Sequence, residues 1–279
     1  MSPTGSVKVA LAEARRRGLA SLDAQLMLAR LLGRTRTQLI AHDDDLLDGE
    51  VGARWSAWLE RHADGEPLAY LLGEKEFHGL MLEVTPDVLV PRPETELLVD
   101  WALELLPTCG KRPAVVDLGT GSGAIALAIK RAHPRATVTA TDASATALAV
   151  ARRNGERVSL DVEWMQASWW QGLEGRQFDL IVANPPYVRA GDPALVALRY
   201  EPVSALASGE DGLNALRTIV AGVASSLHVG GWLLMEHGFD QAEDVRVLMA
   251  AVGLEPIELR PDLAGHPRAT SGRRPSRAP

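Results

Sequence analysis

The chain has 279 residues, 46% of them hydrophobic and 23% charged, with a formal net charge of −7. That balance is the balance of a soluble globular protein long enough for one large domain or two ordinary ones, and its negative sign argues against a nucleic-acid backbone as the main partner. A single cysteine, Cys109, excludes an internal disulfide and a multi-cysteine metal site.

At the N-terminus, Arg15-Arg16-Arg17 is not followed by an apolar segment, so no signal peptide is read there. No run approaches the ~20 apolar residues that span a bilayer, and the expectation is a cytoplasmic protein with no membrane partner. Residues 1 to about 66 read as helical. Leu22, Leu26, Ala29 and Leu32 share one helix face that Gly33 ends, and Ser21 with Asp23 reads as its cap. A second helix is expected from about Val51 to Ala63, with Trp55, Trp58 and Leu59 on one side. The acidic run Asp43-Asp44-Asp45 between them reads as a solvated loop.

From residue 67 to 93 the character changes. Two short apolar runs around Gly79, from Phe77 to Val84, read as a hairpin, and Pro86, Pro91 and Pro93 punctuate the stretch after it, as in a linker. Glu94 and Glu96 then open a helix from Leu97 to Leu106, with acidic residues in the first turn as the helix dipole favours.

Beyond Ala114 strands and helices alternate. Strands are expected at 114–118, 137–141, 162–166, 178–183, 231–236 and 254–259, and helices at 123–132, 145–154, 212–227 and 241–251. This is the pattern of an α/β fold with a doubly wound, mostly parallel sheet. The segment near Thr270-Ser271 reads as a poorly formed last strand, and the basic, proline-rich tail from Ser271 to Pro279 as frayed. The domain division is therefore 1–66 helical, 67–93 hairpin linker and 94–279 α/β.

Two motifs in the α/β part carry chemistry. Val115-Val116-Asp117-Leu118 leads into Gly119-Thr120-Gly121-Ser122-Gly123, a strand ending in a glycine turn that opens a helix and lets a ligand approach the backbone closely. Asp142 ends the next strand, where a carboxylate accepts from ribose hydroxyls. The spacing is not that of the dinucleotide fingerprint, and Asp117 beside the loop would repel a pyrophosphate but suit an ammonium. S-adenosylmethionine fits both points. Trp169, in Met165-Gln166-Ala167-Ser168-Trp169-Trp170, reads as an adenine-pocket wall, with sheet-edge packing the alternative for either indole.

The second motif is Asn184-Pro185-Pro186-Tyr187, after the apolar run from Phe178 to Ala183. The prolines remove two N–H donors and fix the backbone. Asn184 then adds an amide acceptor and donor at the mouth of the sheet, where ligands of such folds sit. A rigid row of acceptors beside an aromatic ring suits holding a planar NH2 group. The seven histidines lack metal-ligand spacing, His237 reads as structural, and Arg92, Glu94 and Glu201 read equally well as salt-bridge scaffold. No metal is expected.

With Glu66-Pro67-Leu-Ala-Tyr-Leu-Leu-Gly73, Leu89-Val-Pro-Arg-Pro-Glu-Thr-Glu96, Tyr200-Glu-Pro202, Glu236-His-Gly238 and Asp262-Leu-Ala-Gly-His-Pro-Arg268, these motifs resemble the HemK/PrmC family, the protein-(glutamine-N5) methyltransferases of peptide chain release factors. The resemblance runs from about residue 20 to 274. It implies a Rossmann-like class I S-adenosylmethionine-dependent methyltransferase domain behind a small helical domain and a β-hairpin linker. It implies cofactor contacts at Gly119, Thr120, Gly121, Ser122, Gly123, Asp142, Trp169 and Asn184. It implies that Asn184, Pro185, Pro186 and Tyr187 hold the glutamine of a Gly-Gly-Gln motif, with Asn184 and Pro185 catalytic, and that the helical domain helps dock the release factor. One departure is Ser168, where the family often has Asp, which leaves adenine recognition to Trp169 or the backbone. Another is that the segment between Tyr187 and Glu201 reads as short. The alternatives are a ribosomal-protein glutamine methyltransferase, an adenine-N6 methyltransferase of nucleic acid, and a non-catalytic module on the same fold.

Overall fold

The computed structural model describes residues 5–276, which fold as two compact units divided between Glu74 and Lys75. The first holds helices α1 (Val7–Arg16), α2 (Ser21–Leu32), α3 (Arg36–Ala41), α4 (Gly49–Ala63) and α5 (Leu68–Leu72). Val7, Ala14, Met27, Leu28, Leu39, Trp55 and Leu59 form its buried core, with Trp58 half-buried against it. Asp48 caps α4 by accepting from the Val51 amide at 2.7 Å, and Thr35 and Gln38 make a reciprocal capping box at α3. The cap expected at α2 is absent, because Ser21 is itself the first helical residue and Ala20 precedes it. The buried face of α2 also differs from the periodicity reading. The helix is apolar on more than one side, and Ala24, Met27, Leu28 and Leu31 are buried while Leu22 is exposed. The unit continues past residue 66 because α5 adds Leu71 to the same core.

The division falls at the first residue of a hairpin, β1 (Glu74–Phe77) and β2 (Leu80–Glu83), which from Lys75 on belongs to the second unit. His78 and Gly79 both take positive φ, 47° and 75°, which a tight two-residue hairpin turn demands. Its apolar face, Phe77, Leu80 and Leu82, packs into the core built on α6 (Glu96–Leu105), and Glu96 accepts from the His78 amide at 2.9 Å. There follow β3 (Ala114–Leu118), α7 (Ala124–Ala132), β4 (Thr137–Asp142), α8 (Ala145–Val158), β5 (Glu163–Gln166), β6 (Phe178–Ala183), the short α9 (Ala194–Ala197), α10 (Asn214–Ser226), β7 (Leu227–Glu236), α11 (Ala242–Ala251), β8 (Ile257–Pro261) and β9 (Pro267–Arg273).

These strands form one sheet of order β5-β4-β3-β6-β7-β9-β8, parallel as far as β7 and antiparallel beyond it. Apolar residues of α6 and α7 cover one face, and those of α10 and α11 the other. The register matters more than the order. Leu118 pairs with Thr141 on one side and Ala183 on the other, and Ala183 pairs with Met235. The residues just past these ends, Gly119, Asp142, Asn184 and Glu236, therefore emerge side by side along the carboxyl edge of the sheet, at the point where strand order reverses.

The end of the chain corrects the sequence reading. Residues 267–273 are a full strand inserted between β7 and β8, with Ala269, Thr270 and Ser271 buried. Residues 271–273 are thus sheet and not tail, whereas residues 277–279 lie outside the described part. The last strand was illegible because its side chains are small and polar. They are buried because β7 and β8 enclose them, not because they drive burial themselves.

Candidate active site

A cavity of about 200 Å³ opens at this reversal point. Of the residues marked in the sequence, Gly119, Thr120, Gly121, Ser122, Asp142, Trp169, Asn184 and Pro186 line it. Gly123, Pro185 and Tyr187 do not. Gly123 takes φ 84° at the start of α7 and faces Trp164, Ala151 and Leu127, so it serves helix packing. Pro185 is buried, and the Tyr187 ring turns away toward Glu236.

The glycine loop is held by backbone and carboxylate together. The amides of Gly119 and Thr120 both donate to the Thr141 carbonyl, at 2.9 and 2.8 Å. Gly121, at φ 55°, donates its N–H to Asp142 Oδ2 at 2.9 Å, and no atom lies within 4 Å of where a Cβ would stand. Asp142 Oδ1 accepts from the Ser144 amide at 2.8 Å. Burial, set against these backbone donors, raises the Asp142 carboxyl above its ordinary range. Trp169 takes φ 52°, a costly conformation for a bulky residue, and its ring stands about where a Gly119 side chain would touch it. Trp170 instead donates its indole N–H to the Thr218 and Ile219 carbonyls of α10, so one indole lines the cavity and the other packs a helix.

Asp117 corrects a further expectation. It lies fully buried beneath the loop, where Oδ2 accepts from Thr120 Oγ1 at 2.6 Å and the Ala126 amide at 3.3 Å. It does not line the cavity and is not placed to meet an ammonium there. Burial pushes its carboxyl up to about 7.

Around Asn184 the structure gives a place to residues whose task the sequence left unassigned. Asn184 Nδ2 donates to Thr95 Oγ1 at 3.1 Å, and Thr95 Oγ1 donates to Glu236 Oε2 at 2.7 Å. Tyr187 OH donates to Glu236 Oε1 at 3.1 Å. Arg268, paired with Asp262 at 3.2 Å, faces Tyr187 and Glu236. Glu236 is 2% exposed, and burial raises its carboxyl. Tyr187, half-buried and beside that carboxyl, is pushed up strongly by desolvation and stays a phenol. His237 is buried with both ring nitrogens engaged, one on the Gly238 carbonyl and one on Thr270 Oγ1, and burial lowers its basicity. It is structural.

The cavity walls are also tied together. Arg92 forms an ion pair with Glu201 Oε1, and Glu201 Oε2 accepts from the Val90 amide at 3.1 Å, so the scaffold reading of these residues holds. Asn154, on the buried face of α8, accepts from the Glu83 amide at 2.7 Å and donates to the carbonyls of Glu83 and Ser122. It went unmarked in the sequence; the signal that could have found it is a polar residue in line with Ala147 and Ala151 on the buried face of a helix. Among the described residues, no group of three or more His, Cys, Asp or Glu is arranged to hold a metal, and no helix is long and apolar enough to cross a membrane.

Comparison with known proteins bears on the whole chain. Residues 95–200 match the methyltransferase small domain and residues 7–73 the PrmC N-terminal domain. A protein named release factor glutamine methyltransferase from Burkholderia pseudomallei is 46% identical over 267 residues, which cover 92% of this chain and 93% of that one. One of the same name from Coxiella burnetii is 46% identical over 254 residues, 91% of each chain. Among solved structures, a Pyrococcus furiosus methyltransferase superposes with a TM-score of 0.55 at 18% identity, covering 79% of this chain and all of that one. The Thermus thermophilus 16S rRNA N2 G1207 methyltransferase, in complex with AdoMet and guanosine, gives 0.53 at 19% identity, covering 72% and 49%. At such identities these two structures share the fold.

Proposed function

The chain belongs to the family of release factor glutamine methyltransferases, and from that premise we propose that it transfers a methyl group from S-adenosylmethionine to the side-chain amide nitrogen, N5, of the Gly-Gly-Gln glutamine in a peptide chain release factor. The observation that carries this reading is the pairing of Leu118 with Ala183, which brings the glycine loop and Asn184 to one cavity. The names of its relatives favour a release factor over a ribosomal protein or a nucleic-acid base.

The cavity fits the methyl donor. Open space beside Gly121 admits a ligand against the backbone, Asp142 presents a carboxylate for ribose hydroxyls, and Trp169 offers a flat apolar wall for adenine. With Ser168 rather than an acidic residue at that wall, adenine recognition rests on Trp169 and the backbone. Bound there, S-adenosylmethionine supplies an electrophilic methyl group on a sulfonium.

What the chain supplies is positioning. An amide nitrogen is a poor nucleophile because its lone pair is delocalised into the carbonyl. Asn184 Oδ1 and the Pro185 carbonyl accept the two N–H bonds of the substrate amide, which aims the nitrogen and favours its pyramidal form. Pro186, which lines the cavity, confines the glutamine side chain, and Tyr187, turned toward Glu236, braces the motif from behind. The helical unit, which runs on to Glu74, docks the release factor, and the hairpin that follows belongs to the transferase unit. The protein works in the cytoplasm, and its acidity disfavours direct binding of nucleic acid.

The test is methyl transfer from labelled S-adenosylmethionine to purified release factor, with ribosomal protein and DNA in parallel, followed by peptide mass spectrometry. Label on the Gly-Gly-Gln glutamine is the expected result. Label confined to ribosomal protein or to adenine would overturn the substrate.

A further inference from the structure

We propose that Thr95 is the positioning residue that sets which way round the Asn184 amide stands. The inference rests on the reading that Asn184 accepts from the substrate amide, and it comes from counting hydrogens.

A threonine hydroxyl has one hydrogen to give and lone pairs to receive with. Thr95 Oγ1 lies 2.7 Å from Glu236 Oε2 and 3.1 Å from Asn184 Nδ2. That bond to Glu236 runs from the Thr95 hydroxyl to the carboxyl oxygen, so the single hydrogen of Thr95 goes to Glu236. The other oxygen of Glu236 is occupied by the Tyr187 hydroxyl at 3.1 Å, and Arg268 faces the pair. What Thr95 turns toward Asn184 is therefore a lone pair. Only the NH2 end of the amide can meet it, and the Oδ1 end is left for the cavity that Asn184 lines.

Without that hydroxyl the two ends of the asparagine amide differ little in shape, and among the described residues no other bond to its NH2 distinguishes them. A flipped Asn184 would offer two donors to a substrate group that itself brings only donors. Thr95 suits the task for two further reasons. It is 4% exposed and β-branched, so its side chain has few alternative rotamers. Its backbone N–H is bonded to the Arg92 carbonyl at 3.1 Å, and the Arg92 side chain is held by Glu201.

The experiment compares Thr95→Val, which keeps shape and removes the hydroxyl, with Thr95→Ser, which restores it. Thr95→Val is expected to lower kcat about 100-fold, the scale of a misplaced reacting group, with the release-factor KM and the calorimetric Kd for S-adenosylmethionine within about threefold of wild type. Thr95→Ser should recover most of the rate. In protein labelled with 15N-asparagine, the Asn184 side-chain amide resonances should move in Thr95→Val and return in Thr95→Ser. Thr95→Ala replaces the valine variant if that one does not fold. Wild-type kcat in Thr95→Val, or a serine variant as slow as the valine one, would overturn the proposal. If wild-type protein methylates no glutamine, the substrate reading fails instead, and unmoved Asn184 resonances would separately remove the role of Thr95.

Discussion

Glu201 pairs with Arg92, 109 positions earlier in the chain, and with its second carboxylate oxygen accepts from the Val90 amide. The segments on either side of this pair, Asp87 to Arg92 and Pro202 to Ala205, both line the cavity, so one buried carboxylate sets the distance between two of its walls.

Removing it should loosen both walls at once. Glu201→Ala leaves the part-exposed Arg92 and the buried Val90 amide without their acceptor, and the unmet amide costs roughly 1–3 kcal/mol of stability. Calorimetry on the folded variant should show weaker S-adenosylmethionine binding, by about tenfold or more if 1.4 kcal/mol of that loss falls on the bound state. Unaltered affinity would mean that the walls hold without the tie.

Asn184→Ala isolates the acceptor proposed for the substrate amide. Turnover is expected to fall by about 100-fold or more, as when one preorganised partner of a reacting group is lost. The cofactor sits mainly on the glycine loop, Asp142 and Trp169, so its affinity in calorimetry should change little. Normal turnover in this variant would remove Asn184 from the mechanism.

At Gly222, inside α10, a Cβ would overlap the Trp170 indole, which donates to the carbonyls one turn earlier. Helix propensity alone would make Gly222→Ala stabilising by about 1 kcal/mol. Overlap with a rigid ring reverses the sign, and a net loss of roughly 1–2 kcal/mol is expected in urea unfolding. Combining it with Trp170→Leu should be less damaging than the sum of the two changes.

Asp117 gives a pH dependence with a definite sign. Its carboxyl is raised to about 7 by burial, so the folded protein keeps a proton that the unfolded chain releases near its ordinary range. The stability this confers is full at low pH and is lost as pH rises through 7. From pH 5 to 8 the loss amounts to roughly 2–3 kcal/mol at most. Asp117→Asn has no such proton to lose. Its thermal midpoint relative to wild type should therefore improve between pH 5 and 8, and a constant difference would show that Asp117 is ionised throughout.

The parts of this site legible in sequence were those in which one short stretch carries the whole signal. The glycine loop, Asp142 and Asn184-Pro185-Pro186-Tyr187 each stand at a strand end, and strand alternation alone fixes that they share an edge. Thr95, Glu236 and Arg268 stand inside recognisable motifs, yet nothing in those stretches assigns them a task. Their meaning lies in a hydrogen-bond chain across elements far apart in sequence, which local spacing does not encode. Asp117 misled because its neighbourhood, an acid beside a ligand loop, looks the same in sequence whether the side chain points into the cavity or beneath the loop. The strand β9 was missed for a thermodynamic reason: Thr270, Ser271 and Gly272 contribute little apolar area, and their burial is imposed by the strands on either side.

That strand has a consequence for how the molecule is made. Because β9 lies between β7 and β8, the sheet cannot be assembled in the order of synthesis; β8 must wait, unpaired, for a partner that comes after it in the chain. Arg268, which faces Tyr187 and Glu236, arrives on that same strand. On the ribosome, then, a nascent chain can have its glycine loop and Asn184 in place and still lack the polar backing of the site, which is completed only when residues 267–273 emerge and slide between two strands already made.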